Sequence, residues 1–336
     1  MIAFRQLGVP SVERYVAYEV EPHAISLAKH NFPFIEEMGD IFQADFKPYI
    51  GFDWIIGGSP CTFWSVVQKK GRETTASGMG WELFSQYLRA LHTVKPRYFL
   101  YENNKSMSKE IRSQITKEFG FEPHELNSAL VSAQNRERLY WVGERQDDGT
   151  YRQVKIRPIR DRGITVPMIL DPLRASLFDS AVVPAKALGC ATRGRYINDT
   201  KQIQQHLEVR LDGKTNTITT VPKDCLMVLP LYEEGSWSLL RQPMTTQISG
   251  KNCVIYPVRN HSIETNRETY QVSLQDGFYV VLKPTLSECK RIQTIPDWYS
   301  MSCAPEYYAR RCIGNGWTVE IIKHLISSAI YGGGTI

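Results

Sequence analysis

Two rhythms of apolar residues alternate through positions 1–143. Short continuous runs at Tyr15–Val20, Phe52–Ile56, Tyr98–Tyr101 and Leu139–Val142 predict buried strands. Between them, Pro22–His30 opens with a proline suited to a helix's first turn. In Trp81–His92, residues Leu83, Phe84, Tyr87, Leu88 and Leu91 recur at helical spacing, and Ser106–Phe119 reads as a third helix. Strands interleaved with helices of this length predict an α/β domain with a mostly parallel sheet covered on both faces.

The texture changes after Gly143. Residues 144–162 are polar and carry Arg145, Arg152, Lys155, Arg157, Arg160 and Arg162. From there to about Gln275 the chain offers short β-branched runs and scattered glycines and prolines, such as Thr215–Val221. Segments of that kind predict a separate β-leaning lobe. Helical patterns return at Thr285–Gln293 and Thr318–Ile330, so the carboxyl end is expected to pack back on the first domain. The divisions expected are 1–143, an inserted lobe at 144–276, and a return at 277–336.

Composition narrows the class. With 336 residues, 42% of them hydrophobic and 22% charged, the chain reads as an ordinary globular protein with room for one large core and a smaller lobe. A net charge of +5 is compatible with a polyanionic partner but does not argue for one alone. No apolar run has the length of a membrane span, and the amino end lacks the layout of a signal peptide. The seven cysteines are scattered and form no Cys-x-x-Cys pair, which points away from a zinc site and a disulfide framework and toward a reducing cytoplasm.

Two strand ends carry candidate chemistry. Cys61 follows Gly57-Gly58-Ser59-Pro60 after the run Phe52–Ile56, and Glu102 with Asn103 ends the run Tyr98–Tyr101. Ligands of open α/β sheets bind at the carboxyl edge, so adjacent strands would aim a thiol and a carboxyl group at one pocket. A buried structural cysteine is the plain alternative for Cys61, and a cap for the helix starting near Ser106 is the alternative for Glu102. Gln134, Arg136 and Arg138 precede the run Leu139–Val142, and strand alternation would place them on one face. Such donors suit a polar substrate edge or an anionic backbone, and equally a solvated turn.

In order and spacing these segments resemble the cytosine-5 DNA methyltransferases of bacteria and phages. The likeness rests on Phe63-Trp64-Ser65 after the Gly57–Cys61 turn, Tyr101–Asn104, Gln134-x-Arg136-x-Arg138, Lys283–Asp297 and Gly314–Val319. It covers roughly residues 1–143 and 280–331, and the lobe between them occupies the place of the family's target-recognition region. The implied fold is a Rossmann-like sheet of the S-adenosylmethionine-dependent kind. The implied partner is double-stranded DNA, with no metal, no membrane and a monomeric chain.

By this resemblance the Cys61 thiolate adds to carbon 6 of a flipped cytosine while Glu102 hydrogen-bonds or protonates ring nitrogen 3. Arg138, with Arg136 nearby, binds the base's carbonyl oxygen or a phosphate. Glu19 is implied at the cofactor's ribose hydroxyls and Asp40 at its adenine amino group, with Pro60 and Asn315 also at the cofactor. Glu21 and Asp45 read as solvated charges. The chain lacks the family's opening strand and Phe-x-Gly-x-Gly loop, which predicts an absent leading segment, two uncovered strand edges and weak cofactor binding as written. An inactive DNA-binding relative and an RNA methyltransferase stay open as alternatives. A cysteine hydrolase would need a histidine base near Cys61, and none of the seven histidines lies in a suitable turn.

Overall fold

The computed structural model describes residues 1–8, 12–60, 62–66, 71–172, 186–196, 203–219, 221–231, 243–248, 251–264 and 269–332. They divide into two compact units, Met1–Asn127 with Glu137–Ile159 and Glu320–Ile336, and Ser128–Arg136 with Arg160–Val319.

The first unit begins with α1 (Ile2–Gln6), β1 (Val16–Ala17), α2 (Pro22–Asn31) and β2 (Glu36–Glu37). It continues through β3 (Trp54–Gly57), α3 (Met79–Val94), β4 (Tyr98–Asn104), α4 (Lys109–Phe119), β5 (His124–Asn127), β6 (Glu137–Arg145) and β7 (Tyr151–Gln153). Strands β1 and β2 form a parallel pair of their own. The main sheet runs β3-β4-β6-β5, with β7 on β6. Here the expectation of a mostly parallel sheet is corrected. Strand β3 is parallel to β4, but β6 is antiparallel to β4, β5 and β7. The link from β5 to β6 holds only a 3-10 turn, Ser128–Leu130, and a parallel return would need a crossover of a dozen or more residues. Among the described residues β1 pairs only with β2, and β3 only with β4.

Alternation along β4 and β6 sends Phe99, Tyr101, Leu139 and Trp141 into one apolar core, where they meet Phe84, Tyr87 and Leu91 of α3 and Ile111, Ile115 and Phe119 of α4. Burial of these side chains is what fixes the register at the sheet's carboxyl edge.

In the second unit, α5 (Val166–Ile169) precedes β8 (Leu188–Tyr196), β9 (Ile203–Arg210), β10 (Leu226–Pro230), β11 (Met244–Ile248), β12 (Lys251–Val258), β13 (Ser262–Glu264), β14 (Thr269–Gln271) and β15 (Gly277–Leu282). Six of these make an antiparallel sheet in the order β11-β12-β15-β10-β8-β9. The β-leaning character read from 144–276 is therefore present, with different limits. Strand β15 pairs with both β10 and β12, so residues from 277 up to Val319 cluster with this unit instead of returning to the first. Helices α6 (Leu286–Ile292) and α7 (Glu306–Asn315) also belong here, and α6 opens with a capping box of Thr285 and Glu288. The return is made by α8 (Val319–Tyr331), which from Glu320 lies with the first unit, where His324 Nε2 meets the Arg157 carbonyl at 2.8 Å. None of the described helices is long and apolar enough to cross a membrane.

Candidate active site

Strand register brings the two predicted strand ends together. Gly57 lies opposite Tyr101 in the parallel pair, which sets Gly58 against the next residue, Glu102. A Cβ on Gly58 would fall 2.5 Å from the Glu102 carbonyl oxygen, so only glycine allows this approach. Tyr87 of α3 ties both strands, donating its phenol to the Leu100 carbonyl at 3.0 Å. The predicted adjacency of β3 and β4 therefore holds; Cys61 itself lies outside the described residues.

A buried polar cluster fixes the turn before it. The Ser59 hydroxyl and Tyr101 phenol are 2.7 Å apart, and Asn103 Nδ2 donates to the Ser59 carbonyl at 3.1 Å. Burial pushes the Tyr101 phenol up, keeping it protonated and able to donate. Beyond the turn, Trp64 is fully buried and donates from Nε1 to Glu73 at 3.0 Å, while Arg72 donates to the Ser106 carbonyl at 2.8 Å. Sequence reading missed Arg72 and Glu73 as anchors, because their partners are distant in the chain or are backbone atoms.

Glu102 is paired with Arg138, whose Nε lies 3.0 Å from Oε1, and the two side chains keep only 10% and 13% of their exposure. Asn104, not Glu102, is directly across from Arg138, so the guanidinium reaches along the strand to the carboxylate. The alternative that Glu102 caps the next helix is excluded, since Ser108 is the N-cap of α4 and accepts from Ile111 N at 3.2 Å.

Arg136 corrects the expectation of one shared face. The chain becomes a strand only at Glu137, so alternation does not extend back to Arg136. Arg136 and Gln134 belong to the second unit and are buried there. The Arg136 guanidinium donates to the carbonyls of Ile218, Gly314 and Gly316 at 3.2, 3.3 and 2.8 Å. Gln134 Nε2 donates to Gln293 Oε1 at 2.6 Å, and Thr318 donates to the same oxygen at 3.0 Å. These side chains act as struts of that unit.

The expected cofactor residues fall at the ends of β1 and β2. Glu19 Oε1 accepts from the amides of Val20 and Glu21 at 2.8 and 2.9 Å, and Asp40 Oδ1 accepts from Phe42 N at 2.9 Å. One oxygen of each carboxylate is thereby fixed, which turns the group into a positioned acceptor. Glu37, three residues before Asp40 and not singled out before, has both carboxylate oxygens buried with no hydrogen-bond donor among the described residues. Desolvation, followed by Lys29 in the opposite sense and Glu19 in the same sense, leaves its pKa raised. This donor-poor, carboxylate-lined corner fits a ligand rich in hydroxyl and amino donors. Pro60 is exposed in the same unit. Asn315, by contrast, is the exposed last residue of α7 in the second unit. Among the described residues no cluster of His, Cys, Asp and Glu has the closeness to hold a metal ion.

Residues 1–330 match the family described as C-5 cytosine-specific DNA methylase. The chain belongs to that family. Among known members, the type II methyltransferase M.FnuDI of Fusobacterium nucleatum is 26% identical over 291 residues, covering 80% of this chain and 74% of that enzyme. An orphan methyltransferase of Bacillus phage rho11s is 35% identical over 158 residues, or 43% of this chain and 30% of the phage protein. In fold, this C-5 cytosine methylase resembles the Dnmt2 methyltransferase of S. pombe, with a TM-score of 0.51 at 14% identity over 98% of this chain and 94% of that one. The Entamoeba histolytica methyltransferase EhMeth gives 0.53 at 9% identity, covering 99% and 94%. Methylation of cytosine is thus the activity of the family, and Glu102 and Arg138 are where its sheet edge offers a carboxylate and a cation.

Proposed function

We propose that this chain transfers a methyl group from S-adenosylmethionine to carbon 5 of cytosine in double-stranded DNA, with Cys61 as the attacking thiolate. The observation that carries the proposal is the Gly58–Glu102 approach, with Glu102 held by Arg138 at the carboxyl edge of β3 and β4.

Carbon 5 is a poor nucleophile until the ring is saturated at carbon 6. Addition of the Cys61 sulfur there forms a C–S bond and pushes an electron pair toward nitrogen 3, which Glu102 hydrogen-bonds or protonates, any proton given returning to Glu102 when the ring is restored. Arg138 beside the carboxyl group stabilises charge that develops on the neighbouring carbonyl oxygen. Carbon 5 becomes an enamine carbon able to attack an electrophilic methyl. S-adenosylmethionine, when bound, supplies that methyl on a sulfonium, and Glu19, Asp40 and Pro60 are the residues of the first unit assigned to hold it. Loss of the carbon-5 proton and expulsion of the thiolate restore the ring. The target atom lies within the duplex, so the base must be swung out of the stack. The lobe carrying the six-stranded sheet is assigned to sequence recognition, with no base code read from it.

The test is covalent capture on a duplex carrying 5-fluorocytosine, whose fluorine blocks the last elimination. A stable adduct mapped to Cys61, dependent on S-adenosylmethionine and absent in Cys61→Ser, is expected. Methyl transfer by Cys61→Ser at the normal rate would overturn the assignment.

A further inference from the structure

Ser59 stands two residues before Cys61 in the chain and is buried. Its amide, hydroxyl and carbonyl are all engaged, and their partners, Tyr101 and Asn103, flank Glu102 on β4. The amide donates to the Tyr101 phenol oxygen at 3.4 Å, the hydroxyl lies 2.7 Å from the same oxygen, and the carbonyl accepts from Asn103 Nδ2 at 3.1 Å. Asn103 Nδ2 also reaches the phenol oxygen, at 3.5 Å. Two N–H groups thus donate to that oxygen, so the phenol's own proton is the one directed at Ser59 Oγ. The partners are themselves held. Tyr101 is fully buried, its ring packed against Phe84, Tyr87 and Trp141 with centroids 5.1, 4.9 and 5.9 Å away. Asn103 Oδ1 accepts from the Asn104 amide at 2.8 Å, which fixes the orientation of the carboxamide. On the side of the turn, Pro60 restricts Ser59 to extended backbone. Strand alternation puts Tyr101 and Asn103 on one face of β4 and Glu102 on the other. The turn is therefore tied to both neighbours of the acid, while the carboxylate itself is paired with Arg138.

We infer that Ser59 and Tyr101 are positioning residues: their hydroxyl pair, braced by Asn103, sets the distance between the nucleophile's turn and Glu102. The inference rests on the proposed methyl transfer through Cys61. Ser59 cannot move relative to Glu102 without disturbing its bonds to Tyr101 and Asn103 together, and a shift of about 1 Å between reacting groups costs about 10²-fold in rate. A cluster that only satisfied buried polar atoms would, once broken, lower stability and leave the rate at saturating substrate intact.

Single-turnover adduct formation on the 5-fluorocytosine duplex, with S-adenosylmethionine saturating and the duplex concentration varied, tests it with the full chain. Tyr101→Phe keeps the ring and removes only the phenol oxygen. Its maximum rate is expected to fall about tenfold or more, with the half-saturating duplex concentration unchanged. Ser59→Ala is expected to lose as much, and S59A/Y101F no more than either alone, since all three break one link. Ile115→Val, a trimmed side chain in the same core as Tyr101, is expected to lower Tm while keeping the wild-type rate. A wild-type maximum rate in Tyr101→Phe overturns the positioning role and leaves the methylation proposal standing. Losses that multiply in S59A/Y101F, or an equal loss of rate in Ile115→Val, overturn it in the same way. Failure of wild type to form the adduct at Cys61 overturns the methylation proposal and the positioning role together.

Discussion

Gly58→Ala is the sharpest perturbation of the site, because the clash is with backbone. The new Cβ would lie 2.5 Å from the Glu102 carbonyl oxygen and 3.4 Å from both the Glu102 carbonyl carbon and Oε2. Against an optimum near ~3.5 Å, the first contact is about 1 Å too short. Neither side has a flexible group to turn away, so β3 and β4 must part locally. Overpacking of this kind costs about 1–3 kcal/mol, which for a unit of this size lowers Tm by roughly 2–10 °C. The chemical loss is larger. A displacement near 1 Å between a nucleophile and its acid partner reduces rates about 10²-fold. The assay is the single-turnover rate of adduct formation on the 5-fluorocytosine duplex, with Gly57→Ala as control. At Gly57 a Cβ meets only the Tyr87 ring, at 3.0 and 3.1 Å, and a ring can shift by a few tenths of an ångström. Gly57→Ala should therefore lose stability with little change in adduct rate. Equal rates for Gly58→Ala and wild type would refute the reasoning that this glycine sets the thiol against Glu102.

Three further outcomes follow from the same structure. Arg138→Met strands the mostly buried Glu102 carboxylate, and a loss of about 2–4 kcal/mol in urea unfolding is expected; Glu102→Gln/Arg138→Met recovers part of it, while Glu102→Gln alone drops methyl transfer about 10²–10⁴-fold. Arg136→Met removes the donor to three carbonyls and should destabilise by about 3 kcal/mol yet leave the salt slope of DNA binding unchanged; a slope lower by about 1 would return Arg136 to the DNA backbone. Glu37 has a raised folded pKa, so its favourable contribution is complete below the unfolded value of 4.5 and is lost as pH rises through the folded one. Glu37→Gln, neutral throughout, should raise Tm at pH 7 relative to wild type, with the difference vanishing near pH 4; a lower Tm at pH 7 counts against an unpartnered carboxylate.

What sequence could show depended on how local the cause was. Helices α3 and α4 were legible because Phe84, Tyr87, Leu91 and Ile111, Ile115, Phe119 repeat at the spacing of one buried face. Helix α7 was not, because Glu306, Arg310 and Arg311 interrupt its apolar stripe and only Ala309, Ile313 and Gly314 are buried. The run Thr215–Val221 alternates like a strand, yet Thr215 makes a single bridge to Gln134 and residues 216–219 are irregular, the Ile218 carbonyl being occupied by Arg136. The direction of β6 was equally hidden, since a continuous apolar run is the same read parallel or antiparallel. Within the site, the motifs named Glu102 and Arg138, but their ion pair depends on a register set by the whole β4–β6 ladder. The Trp64–Glu73 and Arg72–Ser106 anchors depend on the fold of an irregular loop, for which no periodic signal exists.

The segment Gln134-x-Arg136-x-Arg138 shows why a motif's spacing need not mean a shared role. A single residue separates the two arginines, but the boundary between the compact units runs between Arg136 and Glu137. On one side, Gln134 and Arg136 donate to carbonyls and to the Gln293–Thr318 pair, and these hydrogen bonds are internal to the second unit. On the other, Arg138 belongs to a strand whose partner β4 carries Glu102. An arginine satisfied by three carbonyls has little capacity left for a substrate, whereas an arginine at 3.0 Å from a carboxylate in partial contact with solvent keeps donors for one. Interchanging their chemistry is therefore asymmetric. Arg138→Lys retains the charge beside Glu102 and should keep measurable methyl transfer, while Arg136→Lys cannot span three separate carbonyls with a single ammonium head and should lose most of the stability that Arg136→Met loses. Equal stability of Arg136→Lys and wild type would mean that the planar fork is not what holds the 218 and 314–316 backbone together.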